Sequence, residues 1–339
     1  MVTLNWPLSA PAPGDMRWLR VEDPSATAAC RGAGVALASR LGFPAQRVDE
    51  VALAVTEAAS NLHKHARQGS LLVRISRDAD PPGIELITID AGPGLRDARE
   101  ALRDGHSTVG TLGIGLGAIR RLSDFCELYS VPGHGTVLVT RFWPTRHQVT
   151  VRYAGVTRPM TGEAECGDNF AAATSATTVT GVLCDGLGHG PLAATASAQA
   201  VAAVLEDTTP EPASLLERAH SRIGHTRGGA IGIVQVTGTT VLFAGLGNIT
   251  ATILANGDRK GMLSVPGIVG HQARGIRQFG YVADPGGAVV LHSDGVSSRW
   301  EARALPGLAT RDPLVIAAAL LAEAGTRRDD ASVLVLKPC

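Results

Sequence analysis

Two groups of residues in this 339-residue sequence have types and spacings suited to phosphate chemistry. The first begins with Glu57 and Asn61 in the run EAASN, continues with DAGPG at 90–94, and ends with GTLGIGLG at 110–117. Residues four apart on a helix share a face. Glu57 can therefore take a proton from an attacking hydroxyl beside Asn61, whose neutral oxygen suits a Mg2+ bridging phosphates. Asp90, closing an apolar run, can accept hydrogen bonds, and Gly92 and Gly94 let the backbone pass close to a ligand. Gly110, Thr111, Gly113, Gly115 and Gly117 lead into a helical pattern whose first N–H groups and dipole favour phosphate oxygens. No G-x-x-x-x-G-K-[ST] loop occurs, so these phosphates would be held without a P-loop lysine.

The second group is four aspartate motifs: CGDNF at Asp168, VLCDGLGHG at Asp185, LHSDGVS at Asp294, and RRDDAS at Asp329 and Asp330. One Asp-Gly is ordinarily a turn. Four motifs closing apolar, strand-like runs can instead gather carboxylates round hard cations such as Mg2+ or Mn2+. Two such metals about 3.5–4 Å apart lower the pKa of a bridging water and neutralise phosphoryl oxygens, so phosphate-ester hydrolysis needs no cysteine nucleophile. Neighbours on an extended segment point to opposite sides, so Asp329 and Asp330 cannot both face one site, and spacing alone does not choose between them. His63, His65, His189 and His292 are read as surface, capping, turn or packing residues, and Cys166 and Cys184 as buried bystanders.

These residues need elements to hold them. Residues 1–24 form a poorly patterned lead-in with one edge strand in MRWLRVE. An Ala-rich helical pattern runs over 25–41, and Pro44 restarts a second helix in which Val48, Val51, Ala52, Val55, Ala59 and Leu62 form a core-facing stripe. Strands LLVRISR and IELITID, a Gly-Pro-Gly turn, a helix near 114–124, and strands FCELYSV and GTVLVTRFW complete a first domain at 25–143. A linker at 144–148 carries Pro144. A second domain at 149–339 is rich in strands, with helices over 191–205, 213–223 and 313–324.

Composition narrows the rest. Lys+Arg 31 against Asp+Glu 31 leaves no basic field for nucleic acid or anionic membranes. Five scattered cysteines without a C-x-x-C pair argue against disulfides or structural zinc and fit a reducing cytoplasm. No signal-peptide pattern or uninterrupted apolar span of about 20 residues is present. Glycine, at 40 residues, is about 12% against a usual 7%, and it concentrates in the loops named above.

In order and context, EAASN, DAGPG and GTLGIGLG resemble the N, G1 and G2 boxes of the Bergerat-type (GHKL) ATPases. That fold is shared by histidine kinases, gyrase and bacterial anti-sigma kinases. DGHSTVGTLGIGLGAIRRLSD with the GHGT turn at 133–136 resembles the stressosome switch-kinase branch in particular. No sensor segment, membrane helix or phosphoacceptor helix pair precedes the unit, which disfavours a histidine kinase. The aspartate motifs, with the AGLGN turn at 244–248, resemble the PPM-type serine/threonine phosphatases of the SpoIIE branch, and RGGAIGI and LHSDGVSSRW look like its stressosome feedback members.

The resemblance implies an α/β sandwich followed by an α-β-β-α sandwich. In the first, Glu57 is general base, Asn61 holds Mg2+, Asp90, Gly92, Gly94 and Thr136 surround adenine, and the glycine loop holds the phosphates of ATP. In the second, Asp185 bridges two Mn2+ or Mg2+ ions, the Gly186 carbonyl completes one shell, Asp294 and Asp329 hold the other metal, and Asp168 binds directly or through water. The implied partner is a small STAS-domain protein phosphorylated on serine or threonine. Two other readings remain open: a phosphatase carrying a nucleotide-sensing domain, and an anti-sigma-like sequestering module.

Overall fold

The computed structural model describes residues 8–10, 13–77, 81–102, 115–146, 150–175, 177–273 and 275–338. They divide into two compact units, one spanning 11–150 and the other 151–339 together with the segment at 8–10. That segment holds the first strand, β1 (Leu8–Ser9).

The unit at 11–150 runs β2 (Met16–Arg20), α1 (Ser25–Arg40), α2 (Ala45–His65), β3 (Ser70–Ser76), β4 (Gly83–Asp90), α3 (Ala98–Ala101), α4 (Gly115–Leu122), β5 (Phe125–Ser130) and β6 (Thr136–Phe142). Pro44, extended at ψ 149° and with a fixed φ, starts α2 three residues ahead of the apolar stripe. The interior of α2 lacks Gly and Pro, and the chain turns extended again at Ala66. Val51, Ala52, Val55, Ala59 and Leu62 are buried as the stripe requires, along with Ala54 and Ala58, while Val48 packs at the margin. Burying each larger side chain contributes about 1.5–3 kcal/mol. Gly34 lets α1 approach, since a Cβ there would lie 2.9 Å from a Val55 methyl.

The sheet, in antiparallel order β2-β3-β4-β6-β5, presents Leu71, Val73, Ile75, Ile84, Leu86, Leu138 and Phe142 to the helices. Side chains alternate across a strand, so Arg74, Glu85 and Arg141 turn to the opposite face. There they form a buried triad in which the Nε atoms of Arg74 and Arg141 donate to separate oxygens of Glu85 at 2.7 and 2.9 Å. Burial pushes the Glu85 carboxyl upward, but the two guanidinium groups outweigh it and hold it below the usual range.

The second unit comprises β7 (Tyr153–Arg158), β8 (Asp168–Ser175), β9 (Thr178–Gly186), α5 (Pro191–Leu205), α6 (Pro212–Arg222), β10 (Gly229–Thr237), β11 (Thr240–Leu246), β12 (Thr250–Ala255), β13 (Asp258–Met262), β14 (Gly267–Ile268), β15 (Gln272–Ala273), β16 (Phe279–Val282), β17 (Ala288–His292), α7 (Pro313–Ala324) and β18 (Ala331–Leu336). Proline opens α5, α6 and α7, where its missing N–H costs nothing. One antiparallel sheet has the order β1-β8-β9-β10-β11-β16 and the other β13-β12-β17-β18-β7.

Phe170, Leu183, Val234 and Phe243 meet Ile253, Val289, Leu291 and Leu334 between the two sheets. Val201, Val204, Leu215 and Leu216 of α5 and α6 cover the outer face of the first sheet, and α7 packs on β7 and β18. The second unit is thus the expected α-β-β-α sandwich, and the first is an α/β sandwich. The lead-in holds more than the edge strand β2: β1 pairs with β8 in the register Leu8↔Ala172, and Ala10 N–H donates to the Phe170 carbonyl at 2.8 Å. Among the described residues no helix is long and apolar enough to cross a membrane.

Two candidate phosphate-handling sites

In the first unit, Glu57 and Asn61 lie half-buried on α2, facing the first residue of α4. A Cβ on Gly115 would stand 3.4 Å from Glu57 Oε2 and 3.5 Å from both polar side-chain atoms of Asn61. The carboxylate, the amide and the helix N-terminus therefore converge. Asn61 Nδ2 is buried and has no hydrogen-bond partner among the described residues, a donor that a phosphate oxygen would satisfy. Gly117 is buried within α4, whereas Gly110, Thr111 and Gly113 lie outside the described residues.

Asp90 ends β4 opposite Thr136, the first residue of β6. Its carboxylate accepts the Gly92 N–H at 2.6 Å. Burial raises the Asp90 pKa, and the N–H groups of Gly92 and Thr136 partly offset that rise. The Thr136 hydroxyl is 3.0 Å from that of Ser130, which also takes the Leu95 N–H at 2.8 Å. The loop needs its glycines: Gly94 and Gly135 have φ of +70° and +81°, and a Cβ would overlap the Val131 carbonyl at one and the Asp90 carbonyl at the other. The Ala91 N–H donates to the Arg67 carbonyl at 2.9 Å and fastens this loop to the chain just beyond α2.

In the second unit, Asp168 and Asp185 face each other as a cross-strand pair of β8 and β9. Asp294 follows β17 and Asp329 precedes β18, the two neighbouring strands of the other sheet. All four meet at one end of the sandwich. Asp168 is buried, and one of its oxygens has no hydrogen-bond partner among the described residues while the other accepts the Ser293 hydroxyl at 2.6 Å. Burial, then the charges of Asp168, Asp294 and Asp329, raise Asp185. Burial also raises Asp168, and burial followed by Asp329 raises Asp294.

Carboxylates crowded out of water with an oxygen left over are relieved by a cation, so the donor set fits the hard divalent ions expected. Among the described residues no group of three or more His, Cys, Asp or Glu side chains is placed to hold a metal ion by itself. A cation here would draw part of its shell from backbone oxygen and water, as Mg2+ commonly does.

The neighbouring aspartates part ways. Asp329 acts electrostatically on Asp185 and Asp294, whereas Asp330 turns inward and accepts the N–H groups of Met160 and Gly167, each at 2.8 Å. Sequence reasoning missed three supporting residues. Ser293 steadies Asp168 and also takes the Ser332 N–H at 3.0 Å, and Asn248 donates to Asp294 at 2.6 Å. Asn248 stands in the AGLGN turn, and Ser293 and Ser332 stand in the LHSDGVS and RRDDAS motifs, but only the fold brings their hydrogen bonds to the aspartates. His189 is exposed and pairs with Glu163 at 2.7 Å, while His292 is buried against the Ser293 carbonyl.

A helix-borne carboxylate and amide beside a helix N-terminus, with an aspartate at a strand end, define a nucleotide-binding ATPase unit. Residues 21–142 match the family described as "Histidine kinase-like ATPase domain", and the chain belongs to that family through this unit. It is 36% identical over 115 residues to the serine/threonine-protein kinase RsbT of Bacillus subtilis (strain 168), covering 86% of that protein and 34% of this chain.

The second unit has two antiparallel sheets face to face, helices outside and aspartates at strand ends of both sheets, the α-β-β-α sandwich expected from its motifs. A solved structure described as "The bacterial stressosome: a modular system that has been adapted to control secondary messenger signaling" matches 55% of this chain and 98% of its own, at 25% identity and a TM-score of 0.50. A crystal structure of RsbX in complex with magnesium matches 54% of this chain and 92% of its own, at 19% identity and a TM-score of 0.46.

Proposed function

We propose that this chain is a bifunctional partner-switching regulator. Its first unit transfers phosphate from ATP to a serine or threonine of a STAS-domain partner, and its second removes phosphate from phosphoserine or phosphothreonine in protein. The observation that carries this reading is that each unit assembles its own phosphate-handling group of side chains. Glu57 and Asn61 meet Gly115 in one, and four aspartates from two sheets meet in the other.

In the kinase unit Asp90 accepts the adenine amine, with Gly92, Gly94 and Thr136 shaping the pocket. The N–H groups at the start of α4, together with Gly110, Thr111 and Gly113, would hold the phosphates. Asn61 turns its oxygen to Mg2+, and Glu57 takes the proton of the incoming hydroxyl.

In the phosphatase unit Asp168, Asp185, the Gly186 carbonyl, Asp294 and Asp329 would hold two Mn2+ or Mg2+ ions, which when bound supply an activated water and neutralise the phosphoryl oxygens. Ser293 and Asn248 fix the orientation of Asp168 and Asp294, and Asp330 holds the segment that leads into Asp168. The domains act as kinase over 25–143 and phosphatase over 149–339, joined by 144–148, in a cytoplasmic stress-signalling setting.

The test is phosphotransfer from ATP-Mg2+ to a STAS-domain protein, and release of phosphate from the phosphorylated partner with Mn2+. Glu57→Ala should abolish only the first activity and Asp185→Ala only the second. Retention of phosphotransfer by Glu57→Ala, or of phosphate release by Asp185→Ala, would overturn the corresponding assignment.

A further inference from the structure

The antiparallel register of β9 and β10 pairs Gly186 with Gly229, and its continuation sets Arg227 across from Gly188. The structure follows that register. Leu187 N–H donates to the Gly228 carbonyl at 2.9 Å, and a guanidinium nitrogen of Arg227 lies 3.1 Å from where a Cβ on Gly188 would stand. Gly188 itself has φ +91°, so this position both favours glycine and leaves room for the arginine.

The backbone carrying Arg227 is clamped on both sides. Gly228, at φ +74°, has no room for a Cβ against the Val269 carbonyl. Its N–H donates to the Thr226 hydroxyl at 3.0 Å, and His271 Nε2 lies 2.9 Å from the Thr226 carbonyl.

Arg158 binds the Thr326 carbonyl, Arg222 pairs with Glu206, and Arg303 with Asp258. Arg227 is exposed and, among the described residues, pairs with no carboxylate, although it sits against Gly188 in the turn that follows Asp185 and the end of β9. A guanidinium presents five donors in a planar fork that matches the oxygens of a phosphate. Held in a rigid seat and left unpaired, such a group is ready to bind an anion brought to the aspartates.

We propose that Arg227 reads the substrate's phosphoryl group, engaging its non-bridging oxygens as a phosphoserine or phosphothreonine side chain enters the aspartate cluster. The inference rests on the phosphatase reading above and adds the residue that recognises the group to be hydrolysed.

The experiment compares the full chain with Arg227→Lys and Arg227→Ala in Mn2+. It measures hydrolysis of a phosphoserine peptide, competitive inhibition by inorganic phosphate, the Mn2+ dependence of activity, and calorimetric binding of inorganic phosphate to the Mn2+-loaded protein. Arg227→Ala should raise both KM and the phosphate inhibition constant by roughly 10- to 100-fold, the loss expected for charge-assisted hydrogen bonds. Its Mn2+ dependence should be unchanged, and Arg227→Lys should fall between the two.

Unchanged KM and phosphate inhibition in Arg227→Ala would overturn the proposal, as would an equal loss of Mn2+ affinity, which would mark a purely structural role. A wild-type chain that does not hydrolyse the peptide sinks the phosphatase reading instead. In that case calorimetry still decides, and equal phosphate binding by wild type and Arg227→Ala overturns the role of Arg227.

Discussion

Substituting Glu85 by glutamine should destabilise the first unit without touching its nucleotide residues. Glu85, Arg74 and Arg141 are each no more than 2% exposed, so removing the carboxylate charge strands two guanidinium groups away from water. Breaking a buried ion pair in this way costs about 3–5 kcal/mol, a large part of the 5–15 kcal/mol that stabilises an ordinary domain. At ~2.1 cal/mol/K per residue, residues 11–150 unfold with an entropy of about 0.3 kcal/mol/K, so the midpoint should fall by about 10–17 °C.

Scanning calorimetry of the full chain reads that shift. The triple variant Arg74→Met, Glu85→Leu, Arg141→Met should recover most of it, because a packed apolar replacement avoids the desolvation cost of all three charges. The pH dependence has a definite sign. The Glu85 pKa is depressed in the folded state, so its contribution is fully present above the ordinary glutamate value near 4.5 and is lost as pH falls below it. The gap between wild type and Glu85→Gln should therefore be constant from neutrality to about pH 4.5 and close at lower pH. A midpoint shift under about 3 °C, or a triple variant no better than the single one, would refute the reasoning.

Gly135→Ala places a methyl against the Asp90 carbonyl at φ +81°; ATP affinity by calorimetry should fall at least tenfold while phosphatase activity is unchanged. Asp330→Ala leaves the Met160 and Gly167 N–H groups without their acceptor, at about 1–3 kcal/mol for each buried orphan. Its thermal midpoint and its Mn2+-dependent phosphatase activity should both drop, with phosphotransfer to the partner retained. Asn248→Ala removes the 2.6 Å donor to Asp294 and should raise the Mn2+ concentration needed for half-maximal activity while leaving the midpoint nearly unchanged.

Local signals in the sequence carried much of the architecture. The stripe on α2 is legible because a helix repeats every 3.6 residues, and α5 and α7 start where Pro191 and Pro313 can only begin a helix. Asp185 and Asp294 announce themselves because each closes an apolar run, whereas Asp168 opens β8 and Asp329 precedes β18, so the expected strand-closing position holds for only two of the four. Long-range pairing leaves no such mark. Arg74, Glu85 and Arg141 sit in three separate strands, and only the register of β3, β4 and β6 makes them one triad. Alternation separates Asp329 from Asp330 without distinguishing their surroundings; only the fold shows Asp330 accepting the N–H groups of Met160 and Gly167. The pairing of Leu8–Ser9 with β8 joins residues more than 160 positions apart, beyond the reach of any local pattern. Arg227 was visible as part of RGGAIGI, but its place opposite Gly188 follows from strand pairing alone.

The most direct test of opposed kinase and phosphatase sites is steady-state ADP release by the full chain with ATP, Mg2+, Mn2+ and a limiting amount of STAS-domain partner. Wild type should keep releasing ADP far beyond one equivalent of partner, as each phosphate written is erased. Asp185→Ala should stop once the partner is fully phosphorylated, Glu57→Ala should release none, and a mixture of the two variants should restore continuous turnover. Continuous partner-dependent ADP release by Asp185→Ala, or a wild type that stops at one equivalent, would contradict the account.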